Sequence, residues 1–82
     1  MQDLNDLYYF SQVVEQGGFS AAARALDIPK SRLSRRISHL EESLGVRLLQ
    51  RTTRRLRLTA AGERYLHYCR EMAASARAAD DA

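Results

Sequence analysis

Residues Lys30 to Leu44 read KSRLSRRISHLEESL, and the rest of the chain is arranged around this stretch. Its apolar residues are spaced four, three and four positions apart, at Leu33, Ile37, Leu40 and Leu44. At about 100° per residue, this spacing predicts an amphipathic helix with one narrow apolar stripe. Arginine and serine dominate the opposite side of its first half. The pattern therefore indicates a helix that packs on a core along one edge and presents a polyanion-binding face on the other.

Basic charge is concentrated in the middle of the chain. Between Arg24 and Arg57 there are ten basic and three acidic side chains, a net charge of +7, whereas the whole chain carries +3. Twelve of the thirteen basic residues are arginine, whose planar guanidinium matches phosphate oxygens and the O6/N7 edge of guanine. A basic middle between acidic ends predicts a localised anionic partner.

Length and composition are typical of one small, helix-rich folded domain, with 82 residues, 45% of them hydrophobic and 28% charged. No apolar run approaches the length of a membrane span and no signal peptide is present, so we predict a cytoplasmic protein. The single cysteine, Cys69, excludes an internal disulfide and a cysteine-based metal site, and we interpret it as a packing residue.

Glu41 and Glu42 are adjacent on a helix, and His39 and His67 are isolated. Without a nucleophile–base pair, phosphate loop or metal cluster, we predict no enzyme, no cofactor and no metal.

Capping residues and turns predict two short helices before the central one. Two helices joined by a short turn, the second with a positive face, form the helix-turn-helix pattern. The expected elements are, in chain order, a helix capped by Asp3 that ends at about Gln16, a turn at Gly17-Gly18, a short helix from Ala21 to Leu26 capped by Ser20, a turn at Asp27-Ile28-Pro29, and the central helix, which begins near Lys30 or Ser31 and stops at Gly45.

A hairpin and a long helix are predicted to follow. Leu48-Leu49 and Leu56-x-Leu58 flank the sequence RTTRR, which indicates a small hairpin whose tip spans residues 52–55. Thr59 is the expected N-cap of a final helix from Ala60 to about Ala79. The predicted fold class is mainly α: a winged helix-turn-helix of three helices and a β-hairpin wing, followed by a long C-terminal dimerisation helix.

The final helix carries a heptad-like seam, because its small and apolar residues are spaced four, three, four and three positions apart. We expect this seam to face outward and to meet a second copy of the chain, while Leu58 and Leu66 face the domain core. With the neighbouring Tyr68, the predicted dimer interface comprises Tyr65, Tyr68, Cys69, Met72, Ala76 and Ala79.

Three stretches resemble the N-terminal winged helix-turn-helix of LysR-type transcriptional regulators: FSAAARAL (19–26), LSRRISHLEESLGVRLLQRT (33–52) and LTAAG (58–62). The resemblance implies a bacterial regulator's DNA-binding domain over 1–58, with the helix-turn-helix at about 19–38 and the wing at about 48–58. It implies a linker and dimerisation helix over 59–82. The effector-binding domain of full-length members is expected to be absent from this chain, which we interpret as a fragment.

Family members act as dimers on double-stranded DNA, with tetramers possible at full length, and they work with RNA polymerase in the nucleoid. The resemblance therefore implies that the central helix enters the major groove of an inverted repeat and that the wing reaches the minor groove. At residues 29–31 the chain reads Pro-Lys-Ser where the family often has Ser-Gln-Pro, so family contacts transfer better at Ser34 and Arg35 than at Lys30 and Ser31. The predicted DNA-binding residues are Ser20, Lys30, Ser31, Arg32, Ser34, Arg35, Ser38, Thr53, Arg54 and Arg55.

Other interpretations of the basic face stay open at the level of sequence. Arg35 is either a base-reading side chain or a solvated arginine paired with a nearby acid. Arg36 lies about 60° from the apolar stripe, so it either packs its stem or touches a phosphate. The alternative function is a winged-helix interaction module whose basic face binds an acidic protein, and RNA binding is a third option.

Overall fold

A computed structural model of the protein describes residues 1–50 and 55–82. Its elements are, in chain order, α1 (Leu4–Gln16), α2 (Phe19–Leu26), α3 (Lys30–Leu44), β1 (Leu49–Gln50), β2 (Arg57–Leu58) and α4 (Ala60–Asp81). The two short strands pair antiparallel, with Leu49 opposite Leu58 and Gln50 opposite Arg57. This order confirms the predicted fold class, a mainly α winged helix-turn-helix followed by a long helix. Across the described residues, no helix is long and apolar enough to cross a membrane.

The core forms around the apolar stripe of α3. Leu33, Ile37 and Leu40 have no exposed surface, as the spacing of these residues predicts. α1 packs on each of the other three helices, and α2 also packs on α3, while β2 at the base of the wing packs on α4. The other buried members of this core are Phe10, Val13, Ala22, Ala23, Leu48, Leu49, Leu66 and Cys69.

Most predicted helix ends are confirmed by their hydrogen bonds. The Asp3 carboxylate accepts a hydrogen bond from the N–H of Asn5 at 2.8 Å, which caps α1. Gly17 (φ +85°) and Gly45 (φ +73°) end α1 and α3 in the left-handed conformation that glycine adopts without steric cost. Thr59 caps α4, because its hydroxyl accepts a hydrogen bond from the N–H of Gly62 at 2.9 Å.

The predicted N-cap at Ser20 is wrong, because Gly18 occupies that position. The Gly18 N–H donates to the Val13 carbonyl at 3.0 Å, and the Gly18 carbonyl accepts from the Ala22 N–H at 3.1 Å. One glycine thus closes α1 and opens α2, so α2 begins at Phe19 and Ser20 falls in its first turn. At the next turn Pro29 is the N-cap of α3, which settles the start of this helix at Lys30.

The expectation that the whole seam of α4 faces outward is wrong for Cys69. Cys69 lies three positions after the buried Leu66, only about 60° away around the helix, and it has no exposed surface. Tyr65 is half-buried, with its ring centroid 6.1 Å from that of Phe10. Burial raises the pKa of both Tyr65 and Cys69 to about 12. Both groups therefore stay neutral at physiological pH, and Cys69 acts as a small core residue.

Candidate nucleic-acid interface

The outer face of α3 is a polar surface opposite the buried stripe. Four of its predicted DNA-binding side chains are exposed and Ser34 is half-buried. No acid among residues 1–50 and 55–82 forms an ion pair with Arg32 or Arg35. These two guanidinium groups thus remain open to hydrogen bonding with phosphate or base edges. The four exposed residues are Ser31, Arg32, Arg35 and Ser38.

A second part of the surface lies where the starts of α2 and α3 meet the wing. Ser20, Lys30 and Arg55 line one open groove of about 500 Å³, although 35 positions separate the first from the last. Ser20 and Lys30 occupy first helical turns, whose backbone N–H groups lack partners within the helix. Such helix starts favour anions. The groove is therefore lined by two helix N-termini and by three cationic side chains, those of Arg24, Lys30 and Arg55. Thr53 and Arg54 of the predicted wing contacts lie outside the described residues.

Arg36 is held by two acids of α1. Its Nε donates to Asp6 Oδ1 at 2.6 Å, and its Nη2 donates to Asp3 Oδ2 at 3.0 Å. The hydrogen bond to Asp6 raises the pKa of Arg36, while hydrogen bonds from the Asn5 N–H and from Arg36 lower the pKa of Asp3. The guanidinium also lies 5.7 Å from the centroid of the Tyr9 ring. Neither of the two interpretations of Arg36, packing of its stem or contact with a phosphate, included this pairing with two acids.

Glu41 joins α3 to the base of the wing. Its Oε2 accepts hydrogen bonds from the backbone N–H groups of Leu48 at 2.8 Å and Leu49 at 3.1 Å. The residue is 6% exposed, so these bonds form in a largely dry environment, where losing an acceptor is costly. Sequence reasoning missed this role. No local pattern distinguishes Glu41 from its exposed neighbour Glu42 as the acid that reaches seven and eight residues ahead.

Glu41→Gln is expected to lower the free energy of unfolding by roughly 1–3 kcal/mol, because a neutral amide oxygen accepts the two backbone hydrogen bonds more weakly than a carboxylate oxygen does. Glu42→Gln is the matched control, since Glu42 is exposed and adjacent. It is expected to change stability by less than about 0.5 kcal/mol. Urea unfolding followed by circular dichroism measures both. Equal effects would show that the Glu41 carboxylate does not hold the wing.

Comparison with known proteins finds relatives that match most of this chain. A family model described as "Bacterial regulatory helix-turn-helix protein, lysR family" matches residues 4–63. An HTH-type transcriptional regulator of Xanthomonas campestris is 50% identical over 80 residues, which are 98% of this chain and 23% of the relative. The HTH-type transcriptional activator AaeR of Escherichia coli is 46% identical over 72 residues, 88% of this chain and 23% of that protein. The chain thus spans about a quarter of the length of these relatives.

Solved structures agree with the sequence matches. The complex of the BenM DBD with catB site 1 DNA has a TM-score of 0.93 and 35% identity, over 98% of this chain and 89% of that one. Full-length AphB, a virulence activator of Vibrio cholerae and a member of the LTTR protein family, has a TM-score of 0.88 and 38% identity, over 98% of this chain and 28% of that one. Fold, sequence and family model agree, and the chain belongs to the LysR family of bacterial helix-turn-helix regulators.

Proposed function

We propose that this chain binds double-stranded DNA in a sequence-specific manner, as the DNA-binding part of a bacterial transcription regulator. The observation that carries the proposal is the exposed face of α3, where Arg32 and Arg35 pair with no acid in the described part of the chain. Uncompensated arginines on the outer face of the second helix of a helix-turn-helix suit contacts with phosphates and base edges. Under this proposal the chain is a binding protein and not an enzyme.

In the proposed complex, the first half of α3 lies in the major groove. Ser34 and Arg35 contact base edges, with Lys30, Ser31, Arg32 and Ser38 around them. The groove lined by Ser20, Lys30 and Arg55 faces the sugar–phosphate backbone, so that the wing extends toward the neighbouring minor groove. Minor-groove contacts by Thr53 and Arg54 are proposed from the sequence. The DNA complex of the BenM DBD supports this docking, because its protein chain has the same fold over almost the whole of this one.

We further propose that residues 1–58 act as the reading unit and that residues 59–82 link two copies into a dimer on an inverted repeat. The half-sites would then lie one helical turn or a multiple of it apart. Tyr68 is 64% exposed on α4, and the side chains of residues 74–82 are all exposed. In the full protein we expect a cytoplasmic regulator, dimeric or tetrameric, that responds to a small molecule and acts on RNA polymerase at a nearby operon.

A DNA titration tests the central proposal. An operator duplex is first selected from random DNA with this chain, and its affinity is then compared with that of a scrambled duplex over a range of salt concentrations. We expect a clear preference for the selected duplex and a steep loss of affinity with salt for both. Equal affinity for the two duplexes would contradict sequence-specific binding. Binding to neither would favour the basic face as a site for an acidic protein, and a preference for RNA of the same sequence would favour an RNA ligand.

Tyr68→Ala is expected to raise the dissociation constant of the dimer about tenfold, because a large exposed aromatic side chain loses its burial against the partner. The remaining candidates for this interface are the half-buried Tyr65 and Met72 and the exposed Ala76 and Ala79. Sedimentation velocity over a concentration series measures the effect. Arg70→Ala is the control, since Arg70 is exposed but lies on the opposite side of α4 from the seam. Similar dissociation constants for Tyr68→Ala and the wild type would place the dimer contact elsewhere.

A further inference from the structure

The cluster of Asp3, Asp6 and Arg36 lies directly beside the proposed DNA-reading face. The same surface depression is lined by these three residues and by Arg32, Arg35 and His39. Two carboxylates thus lie next to the two arginines proposed to contact DNA. An acid in this position competes with DNA for an arginine unless another cation satisfies it.

Arg36 is the cation that satisfies both acids. Asp6 is only 4% exposed, and its carboxylate is hydrogen-bonded to Arg36 Nε at 2.6 Å. A largely buried carboxylate without a partner is costly, so loss of Arg36 would leave Asp6 to draw in another donor. The other candidate donors that line the same depression are Arg32, Arg35 and His39.

The ion pairs also connect two helices that are distant in the sequence. Asp3 and Asp6 belong to the start of α1, whereas Arg36 lies in the middle of α3, 30 positions after Asp6. The Tyr9 ring, also on α1, lies 5.7 Å from the guanidinium. Three contacts from α1 therefore fix one side chain of α3, and with it the rotation of α3 about its own axis.

We propose that Arg36 is a positioning residue of the DNA-reading face: through Asp3 and Asp6 it fixes α3 against α1 and keeps both carboxylates away from Arg32 and Arg35. The inference rests on the proposed function, because it assigns a role within DNA recognition. It predicts that Arg36 contributes to specificity without contacting a phosphate in the wild-type complex.

Arg36→Gln separates positioning from phosphate contact. We expect affinity for the selected operator to fall at least about fivefold, the lower end of what the loss of a base-contacting arginine costs. The slope of log affinity against log salt should stay as in the wild type, since no phosphate contact is lost. A slope shallower by about 1, with equal losses on operator and scrambled duplex, is the behaviour of a phosphate contact and would overturn the proposal.

Asp6→Asn tests the same idea in the opposite direction. It releases Arg36, so we expect tighter binding to scrambled duplex and a salt slope steeper by about 1. Glu15→Gln is the matched control, because it makes the same charge change at an exposed acid near the other end of α1. The double variant Asp6→Asn/Arg36→Gln should lose the added slope. If Asp6→Asn and Glu15→Gln change the slope equally, Arg36 is not the group released and the proposal fails.

Two readouts keep these results interpretable. Thermal unfolding shows whether each variant is folded, and Asp3→Asn replaces Asp6→Asn if the latter is not, because asparagine still caps α1 while weakening the second ion pair. The wild-type preference for the selected operator is measured alongside. If the wild type shows no preference for the selected operator, the proposed function itself is contradicted. If the wild type shows the preference but Arg36→Gln has a shallower slope of log affinity against log salt, only the positioning role is contradicted.

Discussion

Gly62→Ala is expected to destabilise the protein by about 3 kcal/mol, the upper end of the usual cost of forcing an extra carbon into a packed site. A Cβ built on Gly62 falls 2.1 Å from the carbonyl oxygen and 3.0 Å from the carbonyl carbon of Leu48. Both atoms are backbone, so a side-chain rotation cannot relieve the overlap. The start of α4 has to move away from the wing, which disturbs the cap at Thr59 and the buried Leu66.

The sign of the Gly62→Ala effect is diagnostic. Helix propensity alone predicts stabilisation by about 1 kcal/mol, because Gly62 lies within a helix and alanine is the better helix former. The close approach to Leu48 predicts the opposite. For a domain of this size, a loss of about 3 kcal/mol lowers the melting temperature by roughly 15 °C, which calorimetry measures directly. Arg64→Ala, at an exposed position two residues later, is the control and should leave the melting temperature nearly unchanged. An increase in the Gly62→Ala melting temperature would contradict the close approach.

Arg35→Ala is expected to weaken binding to the selected operator by roughly 1–3 kcal/mol, or about 5- to 150-fold. Arg35 is exposed opposite the buried stripe, and within the described residues no acid pairs with it. Its fork of donors is thus available for a bidentate contact with a guanine edge. Binding to scrambled duplex should change far less, since a base contact contributes only where the matching base is present.

Arg70→Ala is the matched control for Arg35→Ala, because it removes the same charge from an exposed position on α4. Fluorescence anisotropy with both duplexes at several salt concentrations measures affinity and slope together. An equal loss on operator and scrambled duplex, with a slope shallower by about 1, would reassign Arg35 to a phosphate contact. A loss in Arg70→Ala as large as that in Arg35→Ala would show that overall charge, and not the face of α3, governs binding.

The local rules predict the elements of this fold well. The four-three-four spacing in α3 identifies four residues, of which Leu33, Ile37 and Leu40 turn out to be fully buried and Leu44 half-buried. Asp3 and Thr59 are found as the caps that their side-chain chemistry predicts. These successes share one cause: helical periodicity places residues on one face, and a cap bonds within three residues, so the spacing along the chain is enough to predict both.

The two wrong predictions concern the N-cap of α2 and the orientation of Cys69 on α4. Ser20 has the right side chain for a cap, but Gly18 already closes α1 and opens α2 within a single turn. The seam residues of α4 repeat with a helical period, but the period alone does not show which side of the helix meets the core. The predicted outward orientation of Cys69 is wrong for this reason. In both cases the deciding contact comes from an element that the local pattern does not contain.

Side-chain pairs between distant residues could not be predicted from the sequence for the same reason. The bond from Arg36 to Asp6 joins residues 30 positions apart, and it depends on the crossing of α1 and α3. Glu41 and Glu42 are identical in local chemistry, but only Glu41 holds the backbone of Leu48 and Leu49. The candidate face of α3 was therefore predictable as a set of residues, whereas the contacts that orient it were not.

The backbone of Leu48 connects α3, the proposed reading helix, with α4, the proposed dimer helix. Its N–H is held by Glu41 of α3, while its carbonyl oxygen accepts the Thr59 N–H at 3.0 Å, where α4 begins. Hydrogen bonds at Leu48 therefore link α3 and the start of α4 through the base of the wing. In the proposed dimer, these bonds would tie each reading helix to the α4 of its own subunit. The half-site spacing of the proposed dimer would then depend on the base of the wing as well as on the contact between the two copies.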